Sequence, residues 1–102
     1  MELTVEEENG RIVFVPQGAI DEDGADTIKW QFKAAYRHDI KHVVFDFGAV
    51  SHIGSAGIGK LMLIYKDLAA NQAELKVVNT SPAIFDLLRI VKLDAIFSIT
   101  KA

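Results

Sequence analysis

The run from His42 to Phe47, HVVFDF, constrains the fold more than any other stretch. Apolar except at its ends and at Asp46, it suits a strand covered on both faces, at the centre of a mostly parallel sheet. Asp46 then lies near the core and must find donors, most simply backbone N–H groups of the following loop. Shortly after it comes His52 to Leu61, HIGSAGIGKL, where a hydroxyl, three glycines and the start of an apolar helix arrive together. Gly54, Gly57 and Gly59 leave the backbone near Ser55 unencumbered by side chains. The periodic run beginning at Ile58 makes its N–H groups the positive end of a helix, where an anion on or near Ser55 is welcome.

The rest of the chain follows in order. Leu3 to Glu7 alternates apolar and polar residues, Asn9-Gly10 is a type I′ turn signal, and Ile12 to Val15 resumes as a strand, so the chain is expected to open with a hairpin. After Pro16 the segment QGAIDEDG reads as an acidic loop, with Asp23 capping a helix whose apolar positions are Ala25, Ile28, Phe32, Ala35 and Tyr36. Trp30 falls on the other side of that helix, as a lid over a neighbouring loop or as an exposed contact. From Ile58, the positions Leu61, Met62, Tyr65, Leu68 and Ala69 repeat at helical spacing to near Asn71. Leu75 to Val78 reads as a short strand. Thr80-Ser81-Pro82 supplies a cap and a proline at the first helical position, and Ile84, Leu87, Leu88 and Val91 form one stripe of a third helix. Leu93, Ile96, Phe97 and Ile99 close the chain as a turn and a short strand. The order β-β-α-β-α-β-α-β, without repeat or linker, predicts a single compact α/β domain over residues 1–102, its mixed, mostly parallel sheet covered by helices.

Composition narrows the function. A chain of 102 residues can bury roughly 60–70% of the surface its unfolded form exposes, and needs no staple. With no cysteine, disulfides and thiolate chemistry are excluded. The start MELTVEEENG is acidic where a signal peptide would be basic and then apolar, and no apolar run approaches the roughly 18 residues of a membrane span. A cytoplasmic location without membrane insertion is expected. A net charge of −3 with no dense Lys/Arg cluster argues against nucleic acid as a partner.

Several chemistries fail on spacing. Gly54 to Lys60, GSAGIGK, satisfies the first seven positions of the phosphate-loop pattern GxxxxGK[ST], but Leu61 replaces the hydroxyl that would hold Mg²⁺ and belongs to the helix's apolar stripe. The next strand ends in Asn79 and supplies no second carboxylate, so a nucleotide-binding enzyme is the weakest reading. Gly54, Gly57 and Gly59 also miss the dinucleotide spacing GxGxxG. Nucleophilic catalysis at Ser55 needs a base, and His38, His42 and His52 cannot be set against it from spacing; His52 reads as an exposed or loop-satisfied residue. His38 and His42 are four apart where helix gives way to strand, which does not make a metal pair. Asp21, Glu22, Asp23 and Asp26 lack the ligand spacing of a calcium loop and read as helix-start carboxylates. No catalytic residue, cofactor or metal is expected. Ser55 remains, as an N-cap, as a modification site, or as both.

The succession of strand, HVVFDFGAVSHIGSAGIGKL, helix, strand and SPAIFDLLRIVKLDAIFSI resembles the STAS domain of bacterial anti-sigma factor antagonists, over nearly the whole chain. Its most specific part is the family's Asp-Ser-Ser/Thr-Gly-Leu-Gly segment. There a partner-switching kinase, itself an anti-sigma factor, phosphorylates the first hydroxyl residue, and the resemblance places that phosphoacceptor at Ser55. Ala56 stands at the second small, often hydroxylated position, and Gly57, Ile58 and Gly59 fit Gly-Leu-Gly. Gly54 departs from the pattern, since the family commonly has Asp there. Asp46 matches the family's strand aspartate, and Asp21 an acidic loop residue near the phosphoacceptor. The resemblance implies a phosphorylation-gated binding module with no catalysis of its own, acting in bacterial transcription regulation. Its partners would be a serine kinase/anti-sigma factor and a phosphatase. Asp21, Glu22, Ile53, Gly54, Ala56, Gly57, Ile58 and Gly59 would surround Ser55. The alternative is a constitutive STAS subunit of a larger assembly such as a transporter complex.

Overall fold

In the computed structural model, which describes residues 1–102, strands β1 (Glu2–Glu8) and β2 (Arg11–Ile20) form the expected antiparallel hairpin. Asn9 and Gly10 both have positive φ, 50° and 78°, as a type I′ turn requires. Helix α1 (Glu22–Ala35), strands β3 (His42–Asp46) and β4 (Ala49–Ile53), helix α2 (Ser55–Ala70) and strand β5 (Glu74–Thr80) follow. Helix α3 (Pro82–Ile90), a 3₁₀ turn (Leu93–Ala95) and strand β6 (Ser98–Lys101) complete the chain. The sheet runs β1-β2-β3-β5-β6, with β4 added beside the far half of β2; all pairings except β1 with β2 are parallel. Ser81 accepts from the Ile84 N–H at 3.2 Å with Pro82 behind it, the start expected for α3.

Two adjacent rows across the sheet show how its faces are used. Val5, Phe14, Phe45, Val77 and Ile99 lie side by side, and the middle three are fully buried. The neighbouring row, Glu6, Val13, Val44, Lys76 and Ser98, points the opposite way and is exposed at both ends. One core cluster holds the first row together with Ile28 and Phe32 of α1, Leu61, Ile64 and Leu68 of α2, and Ile84 and Leu88 of α3. Val44 is buried outside that cluster, flanked by Val13 and Lys76. The expectation that HVVFDF is covered on both faces is therefore corrected. Helices cover one face, and lateral neighbours shelter the small Val44 on the other. Phe14 stacks on Phe45 with ring centroids 4.9 Å apart, and each such buried side chain contributes about 1.5–3 kcal/mol.

Three local differences from expectation shape the site. First, β2 does not stop at Pro16 but runs to Ile20. Pro16 falls where β2 has passed the end of β3 and not yet met β4, so no partner on that side needs its missing N–H. Second, Ala49–Ile53 is a strand rather than loop. Its pairing shifts between Gly18 and Ala19, leaving Ser51 without a partner, a bulge that puts two polar residues in succession and hides the period-two pattern. Gly18, with φ +99°, takes the strained position. Third, because β2 extends to Ile20, α1 begins two residues early, with Asp21 rather than Asp23 as its cap.

Candidate functional site

Strands β2 and β4 end side by side, with Ile20 opposite Ile53. Each passes into a helix through a single capping residue, Asp21 before α1 and Gly54 before α2. The Gly54 N–H donates to the Ile20 carbonyl at 3.0 Å, tying the two junctions together. Two positive helix ends therefore share one rim. At α1 the end is closed, since the Asp21 carboxylate accepts from the Gly24 N–H at 2.8 Å. At α2 it is open: Gly54 has no side chain, and the first intrahelical bond is from the Ile58 N–H to the Gly54 carbonyl at 3.1 Å. The N–H groups of Ser55, Ala56 and Gly57 lack an intrahelical acceptor, as at any helix start.

Ser55 is thus the first helical residue, not the N-cap that its hydroxyl suggested, and its side chain is exposed. With Asp21, Glu22, His52, Gly54 and Ala56 it lines an open depression of about 590 Å³. Gly57 sets the depth at which α2 meets the strands. A Cβ there would stand 2.6 Å from Ile20 Cγ2 and 2.8 Å from Ile53 Cγ1, so only glycine allows this approach. Ile53, 2% exposed, and Gly57 therefore support the site from beneath. Ala56, Ile58 and Gly59 are half-buried on the first turns of α2.

The other sequence candidates sort by position. Asp46 does what its place near the core demands: one carboxylate oxygen accepts from the Gly48 N–H at 2.9 Å and from Asn79 Nδ2 at 3.1 Å. It fixes the turn between β3 and β4 rather than touching Ser55. Leu61 is 1% exposed within the core, and Lys60 extends towards Asp26 at 3.9 Å, so GSAGIGK forms a helix start and not a phosphate loop. His42 stands at the start of β3, the opposite end of the sheet, 3.6 Å from Glu74. Of the three histidines that spacing could not set against Ser55, the bulge in β4 turns His52 into the same depression. Two successive polar residues, Ser51-His52, were the available signal. Trp30 is 64% exposed, with Lys29 and Lys33 of its own helix near the ring, so it is not a lid over a neighbouring loop.

The arrangement presents an accessible hydroxyl beside free N–H donors, with carboxylates opposite. No three His, Asp or Glu side chains converge as a metal would need, and no helix is long and apolar enough to cross a membrane.

Comparison with known proteins agrees with this architecture. The family model described as STAS domain matches residues 2–102. BtrV of Bordetella bronchiseptica, a protein assigned to the anti-sigma factor antagonists, is 26% identical over all 102 residues, which span 88% of its length. An anti-sigma factor antagonist from Mycobacterium paratuberculosis superposes with a TM-score of 0.86 at 26% identity, covering 99% of this chain and 86% of the other. The anti-sigma factor antagonist SpoIIAA of Bacillus has the same fold in two forms. Its unphosphorylated form gives a TM-score of 0.78 at 18% identity over 99% of this chain and 89% of the other. Its phosphorylated form gives 0.77 at 17% over 96% and 90%.

Proposed function

The chain belongs to the STAS domain family, and from that premise we propose that it is a phosphorylation-gated binding module of the anti-sigma factor antagonist type, with Ser55 as phosphoacceptor. The observation that carries this reading is the Ser55 hydroxyl: exposed, free of any capping duty, and at the lip of an open depression on the first turn of a 16-residue helix. The existence of SpoIIAA in phosphorylated and unphosphorylated forms with this fold supports it.

The gate works by local charge. Unmodified, the rim formed by Asp21, Glu22, Gly54 and Ala56, with Ile58 and Gly59 behind it, docks a serine kinase that is itself an anti-sigma factor. A phosphate on Ser55 adds about −1.5 to −2 charges. The open end of α2 favours that charge by about 0.3–1 kcal/mol, so the domain stays folded. Asp21 and Glu22 oppose it, and a partner seated over the depression would have to desolvate it. The partner is released, and a phosphatase resets the module. The protein performs no catalysis itself, works in the cytoplasm, and reaches transcription through its partner rather than by contacting nucleic acid.

The test is intact-mass measurement with site mapping on the protein isolated from its native cells in growth and under stress. A phosphate at Ser55 whose occupancy changes with conditions, and that disappears in Ser55→Ala, supports the gate. Persistent absence of phosphate overturns it and leaves a constitutive STAS subunit.

A further inference from the structure

We propose that the valley between α1 and α2 is a second docking groove, and that its occupant is an acidic amphipathic helix of about three turns presented by a protein partner. Two depressions, of about 280 and 300 Å³, share Phe32, Lys33 and Asp67 and so form one groove. Along α2 it runs from Lys60 to Ala70, about 15 Å at the helical rise, the length of some ten helical residues. Its floor is apolar: Phe32 and Ile64 are buried in the core, while Leu63 beside them is 53% exposed. An exposed leucine next to a recessed apolar floor is the pattern of a helix-in-groove site.

The rim decides the sign of the partner. The whole chain carries −3, yet Lys29, Lys33 and Lys60 line this groove against the single carboxylate of Asp67. Lys29 and Lys33 pair with no carboxylate; their ammonium groups stand 5.5 and 5.7 Å from the Trp30 ring centroid. Lys60 has only the 3.9 Å approach to Asp26. An acidic helix therefore meets unspent positive charge, with Trp30 on the flank as an aromatic anchor of the kind that dominates interfaces. A flat anionic membrane fits less well, because Phe32 and Ile64 are recessed between the two helices, where a flat surface does not reach them. A phosphate backbone would leave the apolar lining of Phe32, Ile64 and Leu63 without an apolar partner. The groove shares no lining residue with the Ser55 depression and begins about 8 Å along α2 from Ser55. Occupancy here is independent of the state of Ser55.

The probe is a synthetic helical peptide of about 14 residues, four turns, with a leucine stripe and otherwise glutamate. Its lysine counterpart and phosphatidylglycerol vesicles serve as comparisons. The acidic peptide is expected to bind saturably, shifting amide resonances of α1 and α2 and the Trp30 fluorescence, equally in wild type and in Ser55→Asp. The double variant Lys29→Glu/Lys33→Glu, at one half-buried and one exposed position, should weaken it about tenfold or more, and Leu63→Ser should weaken it without any change of charge. No binding of the acidic peptide, equal binding of the lysine peptide, indifference to both variants, or binding of vesicles instead would each overturn the proposal.

Discussion

Gly57 and Ile20 meet at a distance that leaves no room for a side chain at position 57: a Cβ there would come within 2.6 Å of Ile20 Cγ2. Gly59, two residues on, has nothing within 4 Å of the corresponding point. The two glycines should therefore respond oppositely to the same substitution. Gly59→Ala gains about 0.8–1 kcal/mol of helix propensity with no steric cost. Gly57→Ala gains the same propensity but overpacks Ile20 and Ile53, at a cost of about 1–3 kcal/mol. Urea denaturation should show a higher midpoint for Gly59→Ala and a lower one for Gly57→Ala.

Asp46 holds two segments with one oxygen, the Gly48 N–H at 2.9 Å and the Asn79 amide at 3.1 Å. Asn79 sits in the left-handed region, φ 58°, at the irregular step where β5 changes register against β6. Asp46→Ala removes both bonds and should cost about 1–2 kcal/mol, less than full burial would imply because water reaches the site. Asp46→Asn keeps an acceptor oxygen and should lose well under half as much. Faster amide exchange at Gly48 in the alanine variant alone would confirm that the effect passes through this turn.

The parts of the fold legible in the sequence were those governed by strong local signals. Asn9-Gly10 marked the hairpin, Ser81-Pro82 the start of α3, and the stripe Ile28, Phe32 the buried side of α1. What stayed hidden depended on tertiary pairing. The bulge at Ser51 sets two polar residues in succession and breaks the alternation of a strand, so β4 reads as loop, and with it goes the position of His52. Pro16 looked like a stop because its tolerance depends on the gap between β3 and β4, visible only in the assembled sheet. Ser55 was picked out by composition, but whether its hydroxyl caps α2 depends on where the chain enters the helix. That point is set by the bond from the Gly54 N–H to the Ile20 carbonyl. The groove between α1 and α2 joins residues about thirty positions apart, beyond the reach of any periodicity on one helix.

Arg37, just beyond α1, donates to both carboxylate oxygens of Glu7 on the edge strand, and also approaches Asp39 at 3.2 Å. The hydrogen bonds from Arg37 hold the Glu7 carboxyl below its ordinary value. A carboxylate whose pKa is lowered on folding stabilises the fold above its unfolded pKa, and loses that contribution as pH falls through the folded value. Carbon-detected NMR titration should find the Glu7 midpoint depressed, and Arg37→Gln should return it to the usual glutamate range. Both groups are exposed, so added salt should shrink the difference.

The open start of α2 makes a coupled prediction. Gly54 has extended backbone, φ −96° and ψ −179°, and a Cβ there would approach only the Ile20 carbonyl, at 3.8 Å. Gly54→Asp is thus accommodated, and supplies the missing cap for a gain of a few tenths of a kcal/mol. Ser55→Glu places a carboxylate at the same helix end for about 0.3–1 kcal/mol, reduced by Asp21 and Glu22 across the depression. The double variant should fall short of the sum, because both carboxylates compete for the N–H groups of Ala56 and Gly57 and repel each other. Thermal denaturation of all four proteins at low salt measures this coupling. Strict additivity would mean that the two carboxylates neither share N–H groups nor repel each other, whereas a Ser55→Glu variant no more stable than wild type would mean that a charge on residue 55 does not reach the helix end, and would remove the reason a phosphate there leaves the fold intact.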